Sequence, residues 1–182
     1  GITDFTQMTN AMSESADPLK LRTYHQIIIA KNLTGLKNLY RLISESYLNY
    51  YRRTPRIPKT RLTELREGLI IGSACEAGEL FRAILENKPQ AAIEEIASFY
   101  DYLEIQPIAN NMFLIENEKA ADVEELRELN RKIVALGEKL NKPVCATCDA
   151  HYIDPEDEIY RRILLTGMKF SDADKVSHLY MR

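Results

Sequence analysis

The sequence predicts an α/β fold built on a parallel sheet. Short apolar, strand-like runs recur four times, at residues 24–30, 68–72, 102–107 and 144–147. Between and after them lie stretches whose apolar residues repeat at helical spacing. Helical crossovers of this kind make the joined strands parallel. Four such units are too few for a closed barrel of eight. The chain is therefore either a small open sheet or part of a barrel whose other strands lie elsewhere.

Residues 1–20 are polar, with scattered Ser and Asn and no clear period, and read as a poorly ordered linker or junction. Tyr24 to Ala30 has the β-branched richness of a buried strand. Asn32 fits a helix N-cap, and Leu36, Leu39, Tyr40, Ile43 and Tyr47 then recur on one stripe through Tyr51. Residues 52–61 hold two prolines and five basic residues and read as a loop. A short helix (61–67) leads to a second strand at Gly68–Gly72. Ser73-Ala74-Cys75 turns out of that strand towards a helix over 77–86. Residues 88–100 form another helix, with Pro89 in its first turn.

The third strand, 102–107, alternates in character. Residues 122–140 carry the clearest amphipathic pattern, with Val123, Leu126, Leu129, Ile133, Leu136 and Leu140 on one stripe. The fourth strand is 144–147. Asp154-Pro155-Glu156-Asp157 starts a capped helix that runs to about Gly167.

At 182 residues the chain fits one domain. A net charge of −3 gives the whole surface no attraction for nucleic acid or anionic membrane, so any such contact must come from a local patch. No apolar run approaches the roughly 20 residues that span a bilayer. Nothing in the three cysteines suggests a disulfide framework, and a reducing cytoplasm is the expected compartment.

Chemistry concentrates after the strands, where parallel α/β folds gather functional groups. Cys75 follows the second strand; Asp149 and His151 follow the fourth. Thiolate, carboxylate and imidazole together suit zinc. The plainer alternative is a small buried cysteine and a turn aspartate. His25 begins the first strand, the wrong end for this cluster in a parallel sheet, and reads from the residues alone as a core histidine. His178 lies in a polar tail and reads as solvated.

Cys145-Ala146-Thr147-Cys148 is a CxxC, but its first cysteine lies within a strand rather than at a helix N-terminus, which weighs against a thiol redox role. Arg52, Arg53, Arg56, Lys59 and Arg61, flanked by Tyr47, Tyr50 and Tyr51, can grip phosphates or serve as a docking loop for protein. The two fixed prolines favour docking.

Six segments taken together resemble one family. They are Thr23-Tyr-His-Gln-Ile-Ile-Ile-Ala-Lys-Asn32, Gly35-Leu-Lys-Asn-Leu-Tyr40, Arg53-Thr-Pro-Arg-Ile-Pro-Lys59, Glu67-Gly-Leu-Ile-Ile-Gly-Ser-Ala-Cys-Glu-Ala-Gly-Glu79, Phe99-Tyr-Asp-Tyr-Leu-Glu-Ile-Gln-Pro107 and Asp149-Ala-His-Tyr-Ile-Asp-Pro-Glu-Asp157. The series resembles the PHP (polymerase and histidinol phosphatase) domain of bacterial DNA polymerase III alpha subunits of the PolC type. The resemblance runs from about Leu21 to Arg182.

It implies a partial, distorted TIM-like barrel with a metal cluster at one end, and metal ligands at His25, Cys75, Asp149 and His151. Cys148 stands where the family carries a small residue, usually Gly. The family's early His-x-His and Thr-Asp-His motifs are missing from this sequence. The resemblance therefore implies that residues 21–182 are the C-terminal portion of a PHP domain split by an inserted exonuclease. The implied parent performs template-directed DNA synthesis with Mg, and its complete PHP domain takes Zn or Mn. This stretch alone is expected to hold one weakly bound metal at best, and to lack phosphoesterase activity.

The implied partners are the remainder of the polymerase chain and, through it, DNA. No membrane is expected as a partner, and the stretch is expected to self-associate through uncovered surface. The alternatives are a purely structural scaffold bracing polymerase and exonuclease, and a CxxC redox protein.

Overall fold

The computed structural model describes residues 2–3, 22–52, 54–170 and 179–180. The fold is mixed α/β. Strand β1 is Ile2–Thr3, β2 Ile27–Ala30, β3 Ile57–Pro58, β4 Leu69–Gly72, β5 Leu103–Ile105 and β6 Val144–Ala146. The helices are α1 (Leu33–Leu48), α2 (Lys59–Glu64), α3 (Glu79–Leu85), α4 (Gln90–Ser98), α5 (Phe113–Glu116), α6 (Val123–Leu140) and α7 (Glu158–Gly167). Single 3₁₀ turns precede α5 and α7, at Ile108–Asn111 and Pro155–Asp157. The 3₁₀ turn and α5 occupy a stretch in which the sequence shows no clear period.

The strands pair in twos: β1 with β3, β2 with β4, and β5 with β6. A parallel bridge between Gly72 and Tyr102 joins the β2–β4 pair to the β5–β6 pair. Among the described residues no closed barrel forms. β1 belongs to the segment read as a polar linker; residues 4–20 lie outside the described residues.

One expectation is corrected. The β5–β6 pair is parallel, but β2 and β4 are antiparallel, with Ile27 opposite Gly72 and Ala30 opposite Leu69. The connection explains the reversal. It contains two helices, α1 and α2, and the second returns the chain to the end of β2 from which the first departed. There Lys31 N–H donates to the Gly68 carbonyl at 2.8 Å. Gly68 adopts φ +74°, and its backbone presses so closely on Gly35 that a Cβ on Gly35 would lie 1.8 Å from the Gly68 oxygen. Strand β4 therefore starts beside the end of β2.

The stripe expected for α1 is also displaced. Tyr40, Ile43 and Tyr47 are exposed, while Gly35, Leu42 and Ser46 are buried, with Leu39 half-buried. Two apolar stripes lie side by side on this helix, and the one with the smaller residues meets β2 and β4. On α6 the expected stripe does face inward: Leu126, Leu129, Ile133 and Leu136 are buried. Its N-terminus is capped by Asp122, which accepts from Glu125 N–H at 2.9 Å. These residues share one core with Leu42, Leu62, Ile71, Leu80, Tyr100, Leu103 and Leu114. α7 stays outside it, with Ile159, Tyr160, Ile163 and Leu164 exposed.

Among the described residues no helix is long and apolar enough to cross a membrane.

Candidate metal centre

The turn leaving β4 is tightly held. Ser73 Oγ accepts from the Glu104 backbone N–H at 2.9 Å, tying the turn to β5. Ala74 has φ 61°, a left-handed conformation that costs a residue with a Cβ roughly 1–2 kcal/mol. The backbone then reverses through Gly78, whose N–H donates to the Cys75 carbonyl at 2.8 Å. On the other side, His25 N–H donates to the Ala77 carbonyl at 3.0 Å. Both residues are thus fixed by main-chain bonds, and they face each other: His25 Nδ1 lies 3.5 Å from Cys75 Sγ.

This spacing has two chemical meanings. Without metal it is a thiol–imidazole contact. It also matches one edge of a zinc tetrahedron: Zn–S of about 2.3 Å and Zn–N of about 2.0–2.1 Å put the two ligand atoms about 3.5 Å apart. Burial disfavours the thiolate and pushes the Cys75 pKa up to about 11, so in the metal-free chain the sulfur keeps its proton. A metal held there would displace it.

His25 and Cys75 line a cleft of about 530 Å³ together with Tyr102, Glu104, Thr147 and Asp149. Asp149 has φ 52°, which aspartate tolerates better than most residues. His151 stands beside it, with Nδ1 2.7 Å from the Asp149 carbonyl and 3.9 Å from Asp149 Oδ2. A carbonyl can only accept, so Nδ1 is the donor here, and in the neutral ring this leaves Nε2 as the ligating nitrogen. Among the described residues, however, no three His, Cys, Asp or Glu side chains come together tightly enough to enclose one ion. The donor set fits a metal in type, and in spacing for one pair.

The residue that reading the sequence passed over is Glu104. It is 7% exposed, and Oε2 accepts from Thr147 Oγ1 at 3.0 Å. The signal was available: a glutamate between Leu103 and Ile105 in a short strand must project from the opposite face. The neighbouring Tyr102 phenol is pushed up to about 12, by burial first and then by this carboxylate.

The other candidates lie elsewhere. Cys145 is exposed on β6, Cys148 is half-buried with its carbonyl accepting from Asn110 Nδ2 at 3.1 Å, and neither starts a helix. In the basic segment, Lys59 pairs with Glu79 at 3.0 Å and lies over the Phe99 ring. Arg61 clasps Glu45 through two bonds of 2.8 and 2.7 Å. These two cations serve internal contacts. Arg53 and His178 lie outside the described residues.

The sequence profile of the PHP domain matches residues 3–116. The chain belongs to the PHP domain family. Over its whole length it is 55% identical to part of a PolC-type DNA polymerase III of Clostridium perfringens and 51% identical to part of the one from Caldanaerobacter subterraneus. Against the PolC-type DNA polymerase III of Bacillus subtilis it is 46% identical over 92% of its length. The PHP chain spans only 12–13% of the length of these relatives.

Proposed function

We propose that this chain is the later portion of the PHP domain of a PolC-type replicative DNA polymerase, residues 21–182 being the domain proper. The observation that carries this is the full-length identity of 55% to a short stretch of such a polymerase. Template-directed DNA synthesis with Mg, an associated exonuclease and a cytoplasmic location are proposed for the parent on the same basis. The exposed apolar side chains of α1 and α7 are consistent with cover supplied by the rest of that polymerase.

Within the domain, His25 with Cys75 would hold a zinc or manganese ion, or Asp149 with His151 would do so from the loop after β6, Asp149 lining the same cleft as the first pair. Such an ion supplies Lewis acidity when bound. His25 and Cys75 contribute a pre-set edge, held by main-chain bonds, and Asp149 fixes the tautomer of His151. With so few ligands assembled, the chain by itself hydrolyses no phosphodiester. A purely bracing role for the domain is the second reading, favoured by the absence of any three-ligand group among the described residues.

Zinc titration with chelator competition separates the two. Binding that Cys75→Ala abolishes supports the cation site; equal affinity in both proteins overturns it and leaves the brace. Phosphodiester hydrolysis by the pure chain that rises with Mn²⁺ and is lost in Asp149→Ala would overturn the inactivity. Deleting residues 21–182 from the full-length polymerase is expected to abolish primer extension; full activity without them would refute the assignment to the replicative enzyme.

A further inference from the structure

Glu104 carries a carboxylate oxygen that the protein leaves without a partner. Oε1 is fully buried and has no hydrogen-bond partner among the described residues, whereas Oε2 is engaged by Thr147. The Tyr102 phenol is raised by burial first and in part by a hydrogen-bonding interaction with the carboxylate, but no hydrogen bond of ordinary geometry reaches Oε1. A buried oxygen of this kind costs about 1–3 kcal/mol, and more if charged, unless something fills its lone pairs. The cleft it lines is the one that contains His25, Cys75 and Asp149. Its neighbours point to what fills them. The main-chain N–H of Glu104 is held by Ser73, two residues before Cys75, so carboxylate and thiol are set on one rigid frame.

We propose that Glu104 is a positioning residue for a divalent cation in this cleft, its free oxygen accepting a hydrogen bond from a water bound to that ion. The inference rests on the cation site proposed above. Direct ligation by Glu104 together with His25 and Cys75 is disfavoured because, among the described residues, no three acidic, thiol or imidazole groups lie close enough to share one ion. Through one intervening water the carboxylate needs no place among the ligands, since the water lengthens its reach by a hydrogen bond. Thr147 holds the other oxygen and so prevents the carboxylate from rotating away. Outer carboxylates of this type orient the first ligands and raise metal affinity, and their loss costs about 10–100-fold.

The test uses cobalt(II) as probe, because a cobalt–thiolate bond reports itself by a near-ultraviolet charge-transfer band. Wild type, Cys75→Ala, Glu104→Gln and Thr147→Val are titrated with CoCl₂ against a chelator, and each is melted without metal. Gln keeps the shape of Glu104 and can still accept from Thr147, so the fold is expected to survive. The expected result is a thiolate band in wild type, none in Cys75→Ala, and in Glu104→Gln an affinity about 10-fold or more weaker, with an altered visible spectrum. Thr147→Val should weaken binding less. Unchanged affinity and spectrum in Glu104→Gln, with only its melting temperature moved, would make Glu104 a structural acid and overturn this inference alone. Absence of a band in wild type would overturn the cation site itself.

Discussion

The contact between Gly35 and Gly68 makes a prediction whose sign opposes helix propensity. Gly35 lies in the first turn of α1, where its N–H donates to Asn32 Oδ1 at 2.9 Å. On propensity alone, Gly35→Ala should stabilise the helix by about 1 kcal/mol. Sterically, the new methyl would sit 1.8 Å from the Gly68 oxygen and 2.4 Å from its carbonyl carbon. Carbon and oxygen tolerate about 3.3 Å, so something must move by about 1.5 Å. Gly68 cannot yield freely, because its carbonyl holds Lys31 N–H at 2.8 Å. Lifting the helix breaks the Asn32 cap, worth about 1 kcal/mol, and strains the Lys31 bond, worth about another 1 kcal/mol. Disturbing the packing of Leu42 beneath adds about 1–3 kcal/mol. After subtracting the propensity gain, the net destabilisation is about 2–4 kcal/mol. Urea denaturation followed by circular dichroism measures it. Gly167→Ala is the control, because a Cβ there meets nothing within 4 Å, and it should be neutral or mildly stabilising. If Gly35→Ala proves as stable as wild type, the close approach of α1 to β4 is not as described here, and with it the account of why β2 and β4 are antiparallel.

Three further outcomes are expected. In the metal-free chain at pH 8, a Cys75 pKa of about 11 leaves roughly one molecule in a thousand as thiolate. Iodoacetamide should therefore label Cys75 about 100-fold more slowly than the same residue in the urea-unfolded chain, with the rate rising about tenfold per pH unit; equal rates at pH 8, read by peptide mass spectrometry, would refute the burial. Arg61 lowers the pKa of Glu45 through their hydrogen bonds, so the pair stabilises the fold above the unfolded carboxylate value of about 4.3 and loses that contribution as pH falls through the lower folded value. Arg61→Ala should cost about 1 kcal/mol at pH 7, with the deficit shrinking towards about pH 3 in urea melts; a deficit independent of pH would show that the lost packing, not the charge, matters. Finally, the exposed Ile163 and Leu164 of α7 should drive self-association, so light scattering should give a mass above 20.9 kDa that falls in Leu164→Glu. A monomer at all concentrations would show that this face needs no cover.

Local pattern was legible and long-range pattern was not. The α6 helix could be read because one stripe of leucine and isoleucine dominates it and Asp122 caps it. α1 misled because Leu36, Tyr40, Ile43 and Tyr47 form a second apolar stripe beside the buried one, and periodicity cannot say which stripe the sheet will meet. Glu104 went unnoticed because alternation places it on the face opposite Leu103 and Ile105 but does not show that this face too is covered. The 3₁₀ turn and α5 were missed because four-residue elements leave too little period to read.

The position of His25 shows how one topological error propagates to a site. If β2 and β4 ran parallel, the start of β2 would lie beside the start of β4, far from the turn that carries Cys75. Reading from the residues alone therefore weighs against His25, and only the family resemblance supports it. The antiparallel pairing reverses the relation. With Ile27 opposite Gly72, the chain entering β2 meets the chain leaving β4, so a residue two before Ile27 falls beside one three after Gly72. His25 and Cys75 are those residues, and their 3.5 Å contact follows from strand direction. Strand direction follows in turn from the return of the chain to Gly68, where two glycines without side chains let a helix and a strand approach. The geometry of the candidate centre thus depends on a backbone contact at the opposite end of the same strand pair.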